Sequence, residues 1–342
     1  MNRQRAGERP PLAAIFGCEG TELTAWERDF LRSHNPLGFI LFARNAASPS
    51  QVRELVDSLR ETVGRESAPV LIDQEGGRVQ RLKPPQWRRL PPAEPFGWLW
   101  NDAPEKACRA AWLHGYTIAG ELSGLGIDVN CLPCLDLRVP GAHDIIGDRS
   151  FGADPRQVAQ LGQAVCDGLL AGAVIPVVKH IPGHGRALVD SHESLPRVET
   201  SLAELETSDF LPFQSLAGAP WAMTAHVVYT AVDEEEPATT SLRVVQDIIR
   251  GKIGFDGLLL SDDISMKALK GDFASRTEKA LAAGCDVVLH CNGERAEMEA
   301  VAAVAGPLSE AAFQRLEKSL QARGGDGLPF EEALNELGGL LP

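Results

Sequence analysis

Eight short apolar runs alternate with amphipathic helical patterns along most of this chain, and this alternation constrains the fold more than any other feature. Most of the runs are rich in Val, Ile or Leu and apolar on both faces, as parallel strands buried on both faces are. They occupy residues 12–18, 38–43, 69–73, 126–133, 174–180, 222–229, 257–262 and 286–291. The pattern predicts an α/β fold, a single (β/α)8 TIM-like barrel. A doubly wound open sheet is the alternative, but no GxGxxG follows the first run, so its dinucleotide-binding form loses support.

The helices between these runs begin at recognisable capping residues. Ser48 is followed by Pro49 and Gln51, which predicts an N-cap, a proline in the first turn and a capping-box partner. Similar N-cap patterns start at Asp154, Ser201 and Ser241. These starts strengthen the assignment of helices between the strands.

No low-complexity linker or internal repeat divides the chain. We expect residues 1–10 to form a disordered or extended arm and residues 11–342 to form one barrel domain. Residues 295–342 are predicted to contribute the last barrel helix and a C-terminal helical extension.

Charge and composition narrow the possible functions. Lys and Arg number 33 against 47 Asp and Glu, which gives a net charge of −14. Such an acidic surface repels phosphate backbones and anionic lipids, so neither nucleic acid nor membrane is an expected partner. No run approaches the roughly 20 apolar residues that cross a bilayer. The seven cysteines are odd in number and mostly lie in apolar runs, which is typical of reduced thiols and predicts a cytoplasmic protein.

Two local features allow other interpretations. The basic start followed by PLAAIFGC could mark a signal peptide or a lipidated Cys18, but its proline and the adjacent Glu19 favour an arm that leads into a buried strand. Cys131 and Cys134 form a CxxC pair, which a redox site or a zinc site could use. A tetrahedral zinc site would need two more ligands, and the sequence has no second pair at this spacing.

Polar side chains follow most of the predicted strands, at the end where barrels of this kind carry their active sites. They are Asp73, Asn130, Lys179, His180, His226, Asp262, Asp263, His290 and Asn292. Helix capping or loop solvation explains any one of them as well as function does. Ionisable groups at five of the eight run ends together favour a catalytic or binding site.

The segment 179–196 is the densest in chemistry, since it holds three of the eight histidines. In one interpretation His180, His184, Asp190 and His192 ligate a metal, although the segment lacks the helical spacing of zinc peptidases. In the other, Asp190 and His192 form a dyad whose carboxylate fixes the imidazole tautomer and raises its basicity. His184 lies between two glycines, and we expect it to fix the loop rather than to catalyse.

Three other segments carry candidate residues. Asp262 ends the seventh run and could be a nucleophile, a metal ligand or an N-cap, while a loop or capping role is more typical of Asp263. In LIDQEGGRVQRL, Asp73 and an arginine could grip sugar hydroxyls. The alternative for Arg78 and Arg81 is an ordinary surface position. For the arginine of GDRSF, the alternative is an ion pair with Asp148 or Asp144.

Taken together, these motifs resemble glycoside hydrolase family 3, and within it the bacterial β-N-acetylglucosaminidases of peptidoglycan recycling. DQEGGRVQR, GDRSF, KH-PGHG with a DSH whose His lies twelve residues past the first, TAH and LLLSDDISM occur in the family's order. The resemblance runs from about residue 10 to about residue 300.

The resemblance implies a retaining exo-β-N-acetylglucosaminidase. It would act through a covalent glycosyl-enzyme on peptidoglycan fragments, namely GlcNAc-1,6-anhydro-MurNAc and its peptides. Asp262 matches the nucleophile, His192 the acid/base and Asp190 its partner. The positions that match those holding the terminal sugar are Asp73, Arg81, Arg149, Lys179 and His180. Arg78 matches none of them and is expected to be structural. No metal or organic cofactor is implied, and a monomer is expected.

Two departures from the family pattern are present. Ile181 stands where Phe is usual, which changes packing only, and Arg186 stands where an acidic residue is common, which could alter loop mobility. The alternative functions are another exo-β-glycosidase of the family such as a β-glucosidase, a metal-dependent hydrolase that uses the His-rich loop, and a sugar-binding protein without turnover.

Overall fold

The computed structural model describes residues 10–191, 194–324 and 327–341. In it, eight parallel strands close into a barrel in which each strand pairs with its neighbours in the chain and the last pairs with the first. They are β1 (Leu12–Gly17), β2 (Pro36–Leu41), β3 (Val70–Ile72), β4 (Val129–Asn130), β5 (Ile175–Ile181), β6 (Trp221–Thr224), β7 (Leu258–Asp263) and β8 (Val287–His290). Each strand overlaps one predicted run, so the (β/α)8 prediction is confirmed.

Eleven α-helices and one π-helix lie in the described part of the chain. They are α1 (Ala25–His34), α2 (Pro49–Val63), α3 (Glu94–Asp102), α4 (Pro104–Ser123), α5 (Pro155–Ala171), α6 (Leu202–Thr207), α7 (Leu211–Ser215), the π-helix (Val244–Lys252), α8 (Phe273–Ala283), α9 (Arg295–Val304), α10 (Glu310–Gln321) and α11 (Phe330–Leu340). The last three form the predicted C-terminal helical part, and α11 packs against α4.

The predicted N-caps are present. Ser48 Oγ accepts from the Gln51 amide at 3.3 Å, and Ser201, Ser241 and Asp154 cap their helices in the same way. The capping-box role predicted for Gln51 is wrong. Its side-chain oxygen accepts from the Ala47 amide instead, and its side-chain nitrogen donates to the carbonyls of Thr21 and Asn45.

Strand alternation separates two buried layers. The barrel interior includes Leu71, Val177 and Leu260. The layer between barrel and helices includes Ile72, Val178 and Leu259. Because side chains alternate with a period of two, the next interior positions are Asp73, Lys179 and Asp262. Three charged groups are thereby aimed at the C-terminal mouth of the barrel.

All seven cysteines are free thiols. Cys131 and Cys134 are fully buried, and burial raises the pKa of both well above the usual thiol value. This agrees with the expectation of reduced, buried thiols rather than an exposed redox pair. Among the helices of the described ranges, none is both long and apolar enough to cross a membrane.

Candidate active site

A cavity of about 250 Å³ opens at the C-terminal mouth of the barrel. Among its lining residues are Asp73, Arg81, Arg149, Lys179, His180 and Asp262. The five predicted sugar-binding side chains and the predicted nucleophile therefore face one space. A larger cavity of about 540 Å³ lies near the start of β1 and β8, at the other end of the barrel, and holds none of these groups.

A continuous ion-pair network forms one wall of the cavity. Lys179 Nζ lies 2.7 Å from Asp73 Oδ1 and 2.7 Å from Glu75 Oε1. Arg149 binds Glu75 with two hydrogen bonds of 2.8 and 2.9 Å, and Arg81 Nη2 donates to Asp73 Oδ2 at 3.1 Å. Three cations and two carboxylates thus hold each other in place around the site.

Four members of the network stabilise one another in their ionised forms, namely Asp73, Glu75, Arg149 and Lys179. Burial alone would raise the pKa of Asp73, but the charges of Lys179 and Arg81 outweigh it and hold this pKa well below its usual range. Glu75 behaves in the same way, with Arg149 and Lys179 lowering its pKa to about 2. Burial would lower the pKa of Lys179, yet its two carboxylates raise it above the usual lysine value. Asp73, Glu75 and Lys179 therefore carry fixed charges at neutral pH.

Glu75 is a site residue that the sequence analysis missed. It is 5% exposed and joins Lys179 to Arg149. The signal was available, because Glu75 follows Asp73 by two residues in an extended segment and so shares its face. Gly76 follows at φ 108°, and a Cβ there would stand 2.0 Å from the Pro91 carbonyl oxygen, so this turn requires glycine.

The ion pair offered as the alternative for Arg149 is wrong. Asp148 instead accepts from Arg78 Nε at 2.9 Å, and Arg78 Nη2 donates to the carbonyls of Asp144 and Ile145. Arg149 is turned inward because the buried Glu75 carboxylate requires a cationic partner. Arg78 lines the cavity, but its guanidinium group is hydrogen-bonded to the 144–148 loop, which agrees with its expected structural role.

The two adjacent aspartates of β7 have different surroundings. The Asp263 carboxylate accepts from Ser265 N at 3.0 Å, from Ser265 Oγ at 2.6 Å and from Cys291 N at 3.2 Å. Those bonds make it a turn-stabilising group. Both aspartates line the cavity, but Asp262 continues the interior phase of β7, and its Oδ1 accepts from the Asp263 amide at 2.8 Å. The geometry thus favours Asp262 over Asp263 as the group that can react.

Asp136 is the second site residue that the sequence analysis missed. It has no exposed surface, and its Oδ2 lies 2.6 Å from His180 Nδ1 while its Oδ1 accepts from the His184 amide at 2.6 Å. A lone acidic residue inside the apolar stretch CLPCLDL was the available signal, since buried charges are normally paired. His180, which lines the cavity, is joined to Lys179 by a non-proline cis peptide.

The loop that follows β5 is fastened near its start. His184 Nε2 lies 3.1 Å from Ser191 Oγ, which agrees with the expected loop-fixing role of His184. Arg186 pairs with Asp209 at 2.7 Å and with Glu204 at 2.9 Å. The departure from the family pattern at Arg186 thus ties the loop to the α6–α7 region.

The two residues of the predicted dyad are the chain neighbours of Ser191. Asp190 is partly exposed, and its backbone carbonyl accepts from Ser194 N at 3.0 Å. His192 lies outside the described residues.

The metal alternative of the sequence analysis drew on His180, His184, Asp190 and His192. Within the described ranges, the group whose donor atoms lie close enough to share an ion is Cys134, Asp136 and His180, which has only His180 in common with that set. The 2.6 Å between Asp136 Oδ2 and His180 Nδ1 is a hydrogen-bond length. Two ligands each about 2.0–2.2 Å from one tetrahedral zinc stand farther apart than that. The geometry is that of a hydrogen-bonded pair.

Three other residues at strand ends form hydrogen bonds that stabilise the barrel. Asn130 binds the backbone of Gln74 in both directions at 3.0 Å. His290 Nε2 lies 2.8 Å from Glu297. His226 Nε2 donates to the Asp263 carbonyl at 2.9 Å, and burial lowers the pKa of His226, so it supports the end of β7 as a neutral ring.

Comparison with known proteins identifies the family. The profile of the glycosyl hydrolase family 3 N-terminal domain matches residues 19–322. The β-hexosaminidase of Stenotrophomonas maltophilia strain R551-3 is 41% identical over 296 residues, which cover 85% of this chain and 87% of that protein.

Solved structures agree with this match. NagZ from Neisseria gonorrhoeae in complex with N-trifluoroacetyl-D-glucosamine superimposes with a TM-score of 0.86 at 33% identity, covering 97% of this chain and 98% of that chain. NagZ from the same organism in complex with zinc ion gives a TM-score of 0.85 at 32% identity, covering 97% and 99%. The chain therefore belongs to glycoside hydrolase family 3.

Proposed function

We propose that this protein is a retaining exo-β-N-acetylglucosaminidase that removes terminal N-acetylglucosamine from peptidoglycan fragments, GlcNAc-1,6-anhydro-MurNAc and its peptides. The coarser activity, that of a β-N-acetylhexosaminidase, is confirmed by its relatives, which are β-hexosaminidases at about 40% identity over most of the chain. The observation that carries the finer proposal is the convergence of the charged network and Asp262 on one small cavity.

The cavity suits one pyranose unit with several hydroxyl groups. In the proposal, Asp73, Arg81, Arg149, Lys179 and His180 hold the terminal sugar. Buried ion pairs keep the charged members in fixed positions, and such preorganised groups stabilise a transition state without reorganising during the reaction. An exo-acting enzyme needs a pocket of this size, because only the terminal residue enters it.

The chemistry follows the two-step course of retaining glycosidases. A carboxylate oxygen of Asp262 attacks the anomeric carbon, and the bond from that carbon to the aglycone oxygen breaks. In the proposal the departing oxygen takes a proton from the His192 imidazole. Water then gives a proton to the same ring and attacks the anomeric carbon, which releases the carboxylate of Asp262 and the sugar with its original configuration.

Most retaining glycosidases use a second carboxylate as the acid/base. In this proposal a histidine takes that role, and a neighbouring carboxylate orients it and raises its basicity. Retaining enzymes usually place their two groups about 5–5.5 Å apart. Asp262 is held by β7, while Asp190 and His192 belong to the loop after β5. The anchors at His184 and Arg186 support this assignment, because they fasten the loop next to the cavity. Asp190 would orient and tune the imidazole without itself giving the proton.

The remaining parts of the proposal concern the molecule as a whole. We place the enzyme in the cytoplasm as a monomer made of one barrel domain, residues 11–342, preceded by an arm at residues 1–10. The net charge of −14 supports a soluble sugar substrate over nucleic acid or a membrane surface.

The decisive experiment measures nitrophenol release from p-nitrophenyl β-N-acetylglucosaminide and from p-nitrophenyl β-glucoside, each with and without excess chelator. We expect rapid release from the first substrate only, unchanged by chelator. Preference for the glucoside would favour another exo-β-glycosidase, and loss of activity in chelator would favour a metal-dependent hydrolase. Binding of N-acetylglucosamine without any release would indicate a sugar-binding protein.

A further inference from the structure

We propose that Asp136 is a positioning residue that fixes the ring of His180 with its proton on Nδ1, so that Nε2 offers a lone pair to a sugar hydroxyl in the cavity. The proposal rests on the proposed function, since it assumes that His180 holds the sugar. Asp136 follows β4 and its carboxylate is wholly buried. Asp136 is not among the described residues that line the cavity, whereas its partner His180 is.

The groups described within hydrogen-bonding distance of the Asp136 carboxylate can all donate a hydrogen to it. His180 Nδ1 is 2.6 Å from Oδ2, the His184 amide is 2.6 Å from Oδ1, and Cys134 Sγ is 3.2 Å from Oδ2. The backbone amide of His180 adds two longer contacts of 3.3 Å. An ionised carboxylate can only accept, so the nitrogen of His180 that faces it must carry the hydrogen.

The ionised state of Asp136 is secured by its surroundings. Burial would raise the pKa of the Asp136 carboxyl group. Its contacts with His180 and His184 outweigh that effect and hold the pKa well below its usual range. A buried carboxylate that loses its donors leaves an uncompensated charge, which is strongly destabilising. The hydrogen bond from Nδ1 is therefore maintained, and a neutral ring of His180 has its acceptor at Nε2.

The backbone gives this pair a fixed frame. The amide of Leu135 donates to the Lys179 carbonyl at 2.7 Å, so the segment that carries Asp136 lies alongside β5. The same carboxylate also holds the amide of His184. One buried group thus sets both the ring that faces the sugar and the start of the loop that carries Asp190.

The substitution Asp136→Asn separates these two contacts. The amide oxygen of asparagine can still accept from the His184 amide, but its NH₂ group would face His180 Nδ1. The ring must then accept at Nδ1 and move its proton to Nε2, which turns the acceptor offered to the sugar into a donor. We expect kcat/KM on p-nitrophenyl β-N-acetylglucosaminide to fall about 10- to 100-fold, the size of the loss seen when the hydrogen-bond partner of a metal-binding histidine is replaced.

The first measurement needs no activity. Nitrogen-15 NMR of the unmodified protein, with the His180 signals assigned by their absence in His180→Gln, should show a protonated Nδ1 and an unprotonated Nε2. In Asp136→Asn the two nitrogens should exchange these roles. A proton on Nε2 of the unmodified protein would overturn the proposal, even where the asparagine variant does not fold.

The second measurement is a double-mutant cycle on kcat/KM with Asp136→Asn, His180→Gln and the variant that carries both. If Asp136 acts through His180, the double variant is no slower than His180→Gln alone. Cys134→Ala is the matched control, since it removes a third donor from Asp136 and should change kcat/KM less than about threefold. Additive losses, or an unchanged kcat/KM in Asp136→Asn, would overturn the proposal. The proposed function is tested separately: if the unmodified protein shows no turnover of this substrate, that function is wrong, whatever the role of Asp136.

Discussion

The strand-held side of the site and the loop-held side are built differently. Asp73, Lys179 and Asp262 stand at strand ends, and the register of the barrel and buried ion pairs fix their places. Residues 188–190 of the loop are more open to solvent, since Leu188 is 68% exposed and Asp190 is partly exposed. In the proposed mechanism, the strands carry the sugar-binding groups and the nucleophile, while the loop carries the group that gives and takes protons.

The largest effect is expected at the strand-held nucleophile. Asp262→Asn should lower kcat by at least about 10⁴-fold, because no covalent intermediate forms without the carboxylate, while N-acetylglucosamine still binds. Steady-state kinetics and calorimetric binding measure the two quantities. Asp263→Asn is the control and should retain far more activity. The reverse order of the two variants would move the nucleophile to Asp263.

The loop-held group should show a different signature. His192→Ala should slow cleavage of a natural disaccharide by about 10²–10⁴-fold, since a sugar alkoxide needs a proton in order to leave. Cleavage of a p-nitrophenyl glycoside should suffer less, because an activated phenol departs with little protonation. Asp190→Ala should follow the same pattern more weakly. Equal losses on both substrates, with recovery on added metal, would instead indicate zinc ligands.

The buried network should affect binding and catalysis together. Lys179→Ala leaves Asp73 and Glu75 without their shared cation, so we expect KM to rise and kcat to fall, with kcat/KM lower by about 10²-fold. Arg78→Ala is the matched control, because this arginine lines the cavity but bonds to the 144–148 loop. We expect it to change kcat/KM less than Lys179→Ala does. Near-normal kinetics of the lysine variant would show that the network lies outside the reacting geometry.

The burial of His184, which anchors the loop after β5, should affect how the free energy of unfolding depends on pH. Burial lowers the pKa of His184 from 6.5 to about 4, so the folded protein resists protonation of this ring. The unfolded chain takes up the proton below pH 6.5, and the stabilisation is therefore lost as the pH falls from 6.5 to 4, by about 3 kcal/mol.

Chemical denaturation of the unmodified protein and of His184→Gln across this range tests that expectation. The loss of stability between pH 6.5 and 4 should be smaller in the variant. His114→Gln provides a comparison away from the loop, because burial also lowers the pKa of His114 to about 4. Identical pH profiles for the unmodified protein and His184→Gln would show that His184 is not buried as a neutral ring.

The sequence predicted the barrel and the strand-held residues because both depend on short-range periodicity. Asp73, Lys179 and Asp262 could be placed at the mouth from the ends of apolar runs alone, and Glu75 follows from the same alternation. Asp136 and Arg186 could not be placed in this way. Their partners are far along the chain, at His180 for the first and at Glu204 and Asp209 for the second, and only the folded chain brings these groups together.

The central claim is that Asp262 forms a covalent bond to the sugar, and the configuration of the first product tests it most directly. Proton NMR during rapid hydrolysis of p-nitrophenyl β-N-acetylglucosaminide follows the anomeric signal before mutarotation. Two displacements at the anomeric carbon predict that β-N-acetylglucosamine appears first and that the α anomer grows in later. Appearance of the α anomer first would mean that water attacks directly, and would contradict the account.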